Sequence, residues 1–315
     1  MTVADISPQS APELSFEPYS ASIGCGIGGV DLREPLSDAH CAAIRQALLD
    51  WKVVFFRDQT LSVEQHLAFA RKFGELEVHP FTNNDPTHPE VIHIHHTEGS
   101  PGEENGWHSD VTWRLEPSLG SVLRCIEGPA LGGDTLFCDM HAAYEGLPEE
   151  VKDQIDGKLA VHDFEGFRKG LRRRGVDEAV IQRHLSDYPN PEHPVVRTHP
   201  ETGRQAIYVN AGFTRHIVGM DHDESDSLLQ RLYAQTATPE YQCRFRWKRN
   251  SIAFWDNRAC QHYAASDYWP NRRIMDRVTI VGDKPFYEPG REVGAWEAMP
   301  FRGQTNRRRQ GLWYF

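Results

Sequence analysis

Proline and glycine punctuate this chain throughout, 20 and 25 of them in 315 residues. That spacing argues for many short strands and loops over a helical bundle. Strand character shows at 53–56, 91–96, 121–125, 134–138, 195–198, 206–209, 252–255 and 274–281, bounded by turn signals such as Gly128-Pro129 and Gly132-Gly133. Helical spacing is confined to a few segments. Ile44, Leu48 and Trp51 mark a helix over 36–50, and Ser62-x-x-Gln65 is a capping-box signature opening a second. Others are expected near 142–155 and 224–235. The predicted class is mainly β with flanking helices, a sandwich or barrel. Residues 1–17 read as a loose leader. The stretch 165–190, with Arg168, Lys169, Arg172, Arg173 and Arg174, reads as a basic insertion, either a lid over an anion site or a solvated loop.

Composition narrows the partners. A net charge of −11 disfavours general attraction to nucleic acid or an anionic membrane, so an anionic ligand needs a local basic pocket. No apolar run approaches the roughly 18–20 residues that cross a bilayer. The first residues carry neither a basic n-region nor an apolar h-region. Six scattered cysteines without CxxC pairing read as reduced thiols, and the expected location is cytoplasmic.

The chemistry concentrates at Trp107-His108-Ser109-Asp110. His-x-Asp on an extended strand puts both side chains on one face. An imidazole from a distant segment would complete two nitrogens and one carboxylate, the set that grips one face of a non-haem Fe(II) and leaves other positions open. Nothing local selects that third residue, and His-x-Asp alone carries little weight. His262 is the candidate, because it precedes a strand bearing Arg273 and Arg277. Four apart on a strand, these arginines share a face. They suit carboxylate or sulfonate recognition, or else surface ion pairs with Asp276 or Asp267; Arg272 falls on the opposite face. His93, His95 and His96 form a denser cluster with no carboxylate or cysteine close in sequence. It reads as pocket lining or surface, with a second metal site as the alternative. His79, before Pro80, is a substrate donor or a turn residue, and Gly132-Gly133-Asp134-Thr135 a structural turn whose hydroxyl could meet a carboxylate.

At these residues the chain closely resembles the taurine dioxygenase family of Fe(II)/2-oxoglutarate-dependent oxygenases. The matches are Val53-Val54-Phe55-Phe56-Arg57, His79-Pro80, Trp107-His108-Ser109-Asp110-Val111-Thr112, Gly132-Gly133-Asp134-Thr135-Leu136 and His193-Pro194-Val195-Val196-Arg197. Further on come Val209-Asn210-x-Gly212-Phe213-Thr214, Trp255-Asp256-Asn257-Arg258, and the run from Gln261-His262 through Arg273 and Arg277 to Pro285. The resemblance implies a double-stranded β-helix (jelly roll, cupin-like) over 18–287, followed by an extension of unknown role at 288–315. It implies that His108, Asp110 and His262 hold Fe(II) and that Thr135 and Arg273 bind the distal carboxylate of 2-oxoglutarate. Arg277 would face the anionic end of the substrate and could touch the cosubstrate, while His79 and Phe213 line the pocket. The implied reaction consumes O2, releases succinate and CO2, and hydroxylates a small organic anion: a taurine-like sulfonate, an alkyl sulfate or a carboxylate. A homodimer or homotetramer is the common assembly. Thr82 and Glu104 depart from the taurine-specific pattern, which has Tyr and Asn there. A biosynthetic oxygenase acting on a carboxylate by desaturation, cyclisation or nitrogen oxidation remains an alternative, as does a non-catalytic jelly-roll sensor.

Overall fold

The computed structural model describes residues 13–293 except 83, 100, 101, 103, 104 and 174, and the side chain of Phe167. Most of the expected leader and of the 288–315 extension, together with Glu104 and Arg174, lies outside the described residues.

A seven-stranded sheet forms the larger layer. In spatial order its strands are Ser15–Pro18, Cys25–Gly28, Val53–Phe56, Ile252–Asp256, Gly120–Glu127, Arg273–Ile280 and Val91–His96. All neighbours run antiparallel except Cys25–Gly28 beside Val53–Phe56. The sheet therefore begins inside the stretch read as leader. A facing three-stranded sheet sets Thr135–Asp139 between Gln242–Phe245 and Cys260–Ala264. Smaller sheets extend that side: Leu159–His162 between Thr214–Ile217 and Glu192–Pro194, and Val196–Thr198 with Gln205–Ile207.

The run 53–56 shows why strands here lack polar alternation. Val53 and Phe55 point between the sheets and pack with Phe137, Phe245, Trp255 and Met275. Val54 and Phe56 point the other way, onto Ile44, Leu48, Leu67 and Phe69. With both faces covered, all four residues are buried. Phe55 stacks on Phe245 with centroids 4.1 Å apart, joining the two layers. This is the expected jelly roll.

The covering helices are Asp38–Trp51 and Val63–Arg71. The second carries the capping box in full: Gln65 N donates to Ser62 Oγ (3.2 Å) and Ser62 N to Gln65 Oε1 (2.8 Å). The single helix expected over 142–155 is instead two, Met140–Glu145 and Glu149–Ile155. Pro148 has no N–H and biases Leu147 away from helical angles, which breaks the run. The helix expected at 224–235 spans His222–Tyr233. The basic insertion folds into helices Glu165–Arg173 and Glu178–Asp187. Arg168 donates to Glu165 (2.7 Å) and Arg172 to Glu178 (3.0 Å), so both charges are met within the insertion. Phe164, Leu185 and Tyr188 pack there against Trp113. All six cysteines are free thiols. No helix among the described residues is long and apolar enough to cross a membrane.

Candidate active site

His108 and Asp110 do not lie on a regular strand, contrary to the expectation. His108 forms an isolated antiparallel bridge with His262, and Asp110 opens a turn. Convergence therefore comes from pairing across the chain. His108 N donates to His262 O (3.1 Å) and His262 N to His108 O (2.9 Å). Residues exchanging both bonds in an antiparallel pair present their side chains on the same face, and the two imidazole centroids lie 4.3 Å apart. Asp110 Oδ1 lies 3.7 Å from His108 Nε2 and 4.0 Å from His262 Nε2. One donor atom from each of the three falls within 4.8 Å of the others.

Local hydrogen bonds aim these donors. His108 Nδ1 sits 2.9 Å from the Gly106 carbonyl, so as N–H it donates there and leaves the Nε2 lone pair toward Asp110 and His262. Asn257 clamps the turn: Asp110 N donates to Asn257 Oδ1 (2.6 Å), and Asn257 Nδ2 donates to Asp110 O (2.9 Å). Ser121 Oγ adds a contact to Asp110 Oδ2 (3.3 Å). Val111, the next residue, has φ +49°, a left-handed conformation unfavourable for a β-branched side chain. Its burial against Trp113 and Phe164 holds the turn in place.

Burial would raise the Asp110 carboxyl, but Arg277, His262 and His108 hold it well below the usual carboxylate range. Burial, then the neighbouring His108, pushes His262 down to about 3. Against the pull of burial, Asp110 and the Gly106 carbonyl raise His108, so a cation binding there displaces its proton. A carboxylate and two imidazoles suit a borderline divalent cation.

His79, Thr135, Phe213, Arg273 and Arg277 line the same cavity of about 450 Å³ as the His108, Asp110 and His262 cluster. Thr135 Oγ1 accepts from Trp247 Nε1 (2.9 Å), which leaves the hydroxyl proton to donate. Arg273 Nε donates to Gly133 O (3.2 Å), tying the arginine to the Gly-Gly turn. His79 is pushed down to about 3 by burial, then by Arg277 and Arg114, so it is neutral. Thr82 also borders the cavity, but donates to Asn84 Oδ1 (2.7 Å). Both surface partners proposed for the arginines are engaged elsewhere. Asp276 meets His93, and Asp267 meets Gly133 N. Arg277 Nη1 instead donates to Asp110 Oδ1 (3.0 Å), while its buried Nε has no hydrogen-bond partner among the described residues.

Sequence reasoning attached no role to Asn257, Ser121 or Trp247, although Asn257 stood in a quoted motif. The apolar wall of Phe81, Ile94 and Leu123 was also unassigned. An isolated Asn, Ser or hydrophobic residue carries no local signal of what it will touch.

The family model described as "Taurine catabolism dioxygenase TauD, TfdA family" matches residues 15–279. An alpha-ketoglutarate-dependent sulfate ester dioxygenase of Pseudomonas putida is 37% identical over 281 residues, covering 87% of this chain and 92% of that one. An alkylsulfatase of Acinetobacter baylyi is 32% identical over 276 residues, covering 86% of each chain. The crystal structure of a taurine dioxygenase from Burkholderia xenovorans superposes with a TM-score of 0.76 at 39% identity, covering 89% of this chain and 95% of that one.

Proposed function

Because the chain belongs to the TauD, TfdA family of dioxygenases, we infer that it is an Fe(II)-dependent member that oxidises a small alkyl sulfate or sulfonate with 2-oxoglutarate and O2. One observation carries this reading: two imidazoles and a carboxylate converge in a cavity that two arginines also line. His108, Asp110 and His262 would hold Fe(II), since two histidines and one carboxylate with open positions are the arrangement of non-haem Fe(II) oxygenases and leave room for cosubstrate and O2. Bound there, iron and 2-oxoglutarate supply oxidative decarboxylation to succinate and CO2, coupled to oxidation of a substrate C–H bond.

The protein's work is to place and orient. Arg273, anchored at Gly133, and the Thr135 hydroxyl form a cation and donor pair for the distal carboxylate of 2-oxoglutarate. Arg277 has a buried Nε–H with no hydrogen-bond partner among the described residues and suits the anionic end of the primary substrate. Neutral His79 adds a hydrogen-bonding group without a second charge. Phe81, Ile94, Leu123 and Phe213 give an apolar wall fitting an alkyl chain. The names of two relatives, a sulfate ester dioxygenase and an alkylsulfatase, support an alkyl sulfate as substrate. Thr82, engaged with Asn84 where taurine-specific proteins carry Tyr, argues against taurine itself.

The test is succinate formation with Fe(II), 2-oxoglutarate and air over a panel of alkyl sulfates, taurine, alkyl sulfonates and aryloxy carboxylates. Medium-chain alkyl sulfates should give the highest kcat/KM, with sulfate and aldehyde released in step with succinate. A carboxylate preferred over every sulfate would reject the substrate assignment. Iron-independent turnover would reject the metal.

A further inference from the structure

The edge strand Val91–His96 carries two chemistries, one on each face. Ile94 opposes Met275 across the ladder and packs toward the inter-sheet core. His93, His95 and His96 all border the active-site cavity, as the pocket-lining reading expected, but the side chains of His93 and His95 fall on the other face of the strand, where His93 pairs directly with Asp276. His93 Nδ1 lies 2.7 Å from Asp276 Oδ1, His95 Nε2 3.6 Å from the same oxygen, and the rings are 4.9 Å apart. One donor atom from each of these three residues lies within 4.8 Å of the others. The missing carboxylate that argued against a metal here was hidden only in sequence, because the fold supplies it from the neighbouring strand.

A second carboxylate sharpens the picture. His93 Nε2 lies 3.2 Å from Asp85 Oδ2, and Asp85 is fixed by donation from Thr87 N (2.8 Å) and His88 N (2.7 Å) to its other oxygen. A neutral imidazole has one N–H, so it can donate to one of these carboxylates but not to both. A protonated ring donates to both, and against the pull of burial Asp276 and Asp85 raise the His93 pKa. With Nε2–H kept on Asp85, a divalent cation between Nδ1 and Asp276 takes the place of the second proton. A ligating histidine whose other nitrogen is held by a carboxylate is the usual arrangement in metal sites. His95 is substantially exposed, which leaves room for water to complete the coordination.

We propose that His93, His95 and Asp276 form a second divalent-cation site, oriented by Asp85 and separate from the His108, Asp110 and His262 cluster. Two imidazoles and one carboxylate select Zn2+, Ni2+ or Cu2+ over Ca2+ and Mg2+, which require mostly oxygen ligands. Arg124 is the cross-strand partner of Asp276 and opposes a dication by charge, so binding is weaker than in a fully neutralised cage. The site bridges the edge strand to Arg273–Ile280, the strand that also carries both cavity arginines.

The test uses the full, untagged, chelator-stripped chain and Zn2+ alone, followed by titration calorimetry. The wild type should take up two ions per chain, and His95→Ala, a change at an exposed side chain, should reduce this to one. The double variant His108→Ala/His262→Ala should retain one ion, and adding His95→Ala should abolish it. Asp85→Asn should weaken this remaining site about 10–100-fold. No saturable Zn2+ binding in a folded double variant would overturn the proposal. So would two ions persisting in His95→Ala, which decides the matter even if the double variant does not fold.

Discussion

Arg277→Met isolates the link between the cavity arginine and the candidate metal ligand. The methionine keeps an unbranched apolar stem and removes the guanidinium that donates to Asp110 Oδ1 at 3.0 Å. Both side chains are largely buried, so without a metal the change strands a carboxylate. Breaking a buried pair this way costs about 3–5 kcal/mol, and the lower end applies because the pair faces a cavity open to water. A chain of this length loses roughly 1.5–2 °C of Tm per kcal/mol, giving a drop of about 5 °C for the metal-free variant. Arg277 and the other neighbours hold the folded Asp110 carboxyl well below its usual range. Its contribution is therefore complete above the unfolded pKa of about 3.9 and is lost as pH falls below it. Removing Arg277 shrinks that depression, so the gap between wild type and variant should be full at pH 7 and narrow below about pH 4. A divalent cation takes over the neutralisation of Asp110, so saturating Mn2+ should raise the variant's Tm more than the wild type's. Differential scanning fluorimetry, with chelator or Mn2+, measures all three effects. A metal-free variant as stable as wild type at pH 7, or a gap that widens in acid, would refute the reasoning.

Other substitutions separate the remaining roles. His108→Ala or His262→Ala should abolish substrate-dependent succinate formation while circular dichroism stays native; full turnover in either would reject them as ligands. Arg273→Ala should raise the KM for 2-oxoglutarate about 10–100-fold, the scale of a lost charge-assisted hydrogen bond, and change the substrate KM little. The reverse pattern would mean that the two arginines exchange roles. Asn257→Ala removes the clamp on the Asp110 turn without touching the donor atoms. It should weaken metal affinity about 10–100-fold, read by Mn2+ titration, and unchanged affinity would reduce Asn257 to a packing residue.

Much of the framework was legible because its signals are local. The run 53–56 has the apolar length of a doubly covered strand, and Ser62 with Gln65 spells out a cap whose two hydrogen bonds both form. Among the strands that went unread, Leu159–His162 with its mixed sequence, Gln242–Phe245, and Cys260–Ala264, in which polar Gln261 and His262 are both buried, are short and carry weak patterns. Their strand character comes from pairing partners far along the chain. The division of 142–155 was signalled by Pro148, but helical spacing on both sides masked it.

The sequence by itself determined which chemistries were on hand: a histidine and an aspartate two apart, two arginines on one strand face, and motifs specific enough to imply a family. Tertiary structure decided which groups meet. The bridge between His108 and His262 set the imidazoles side by side, where strand alternation had been expected to do that work for His108 and Asp110. Arg277 turned to Asp110, and Asp276 turned to His93 on the opposite face of the same strand. Adjacent residues on a strand point apart, while residues paired across strands point together. Contacts of that second kind depend on register between distant segments, which no local window of sequence contains.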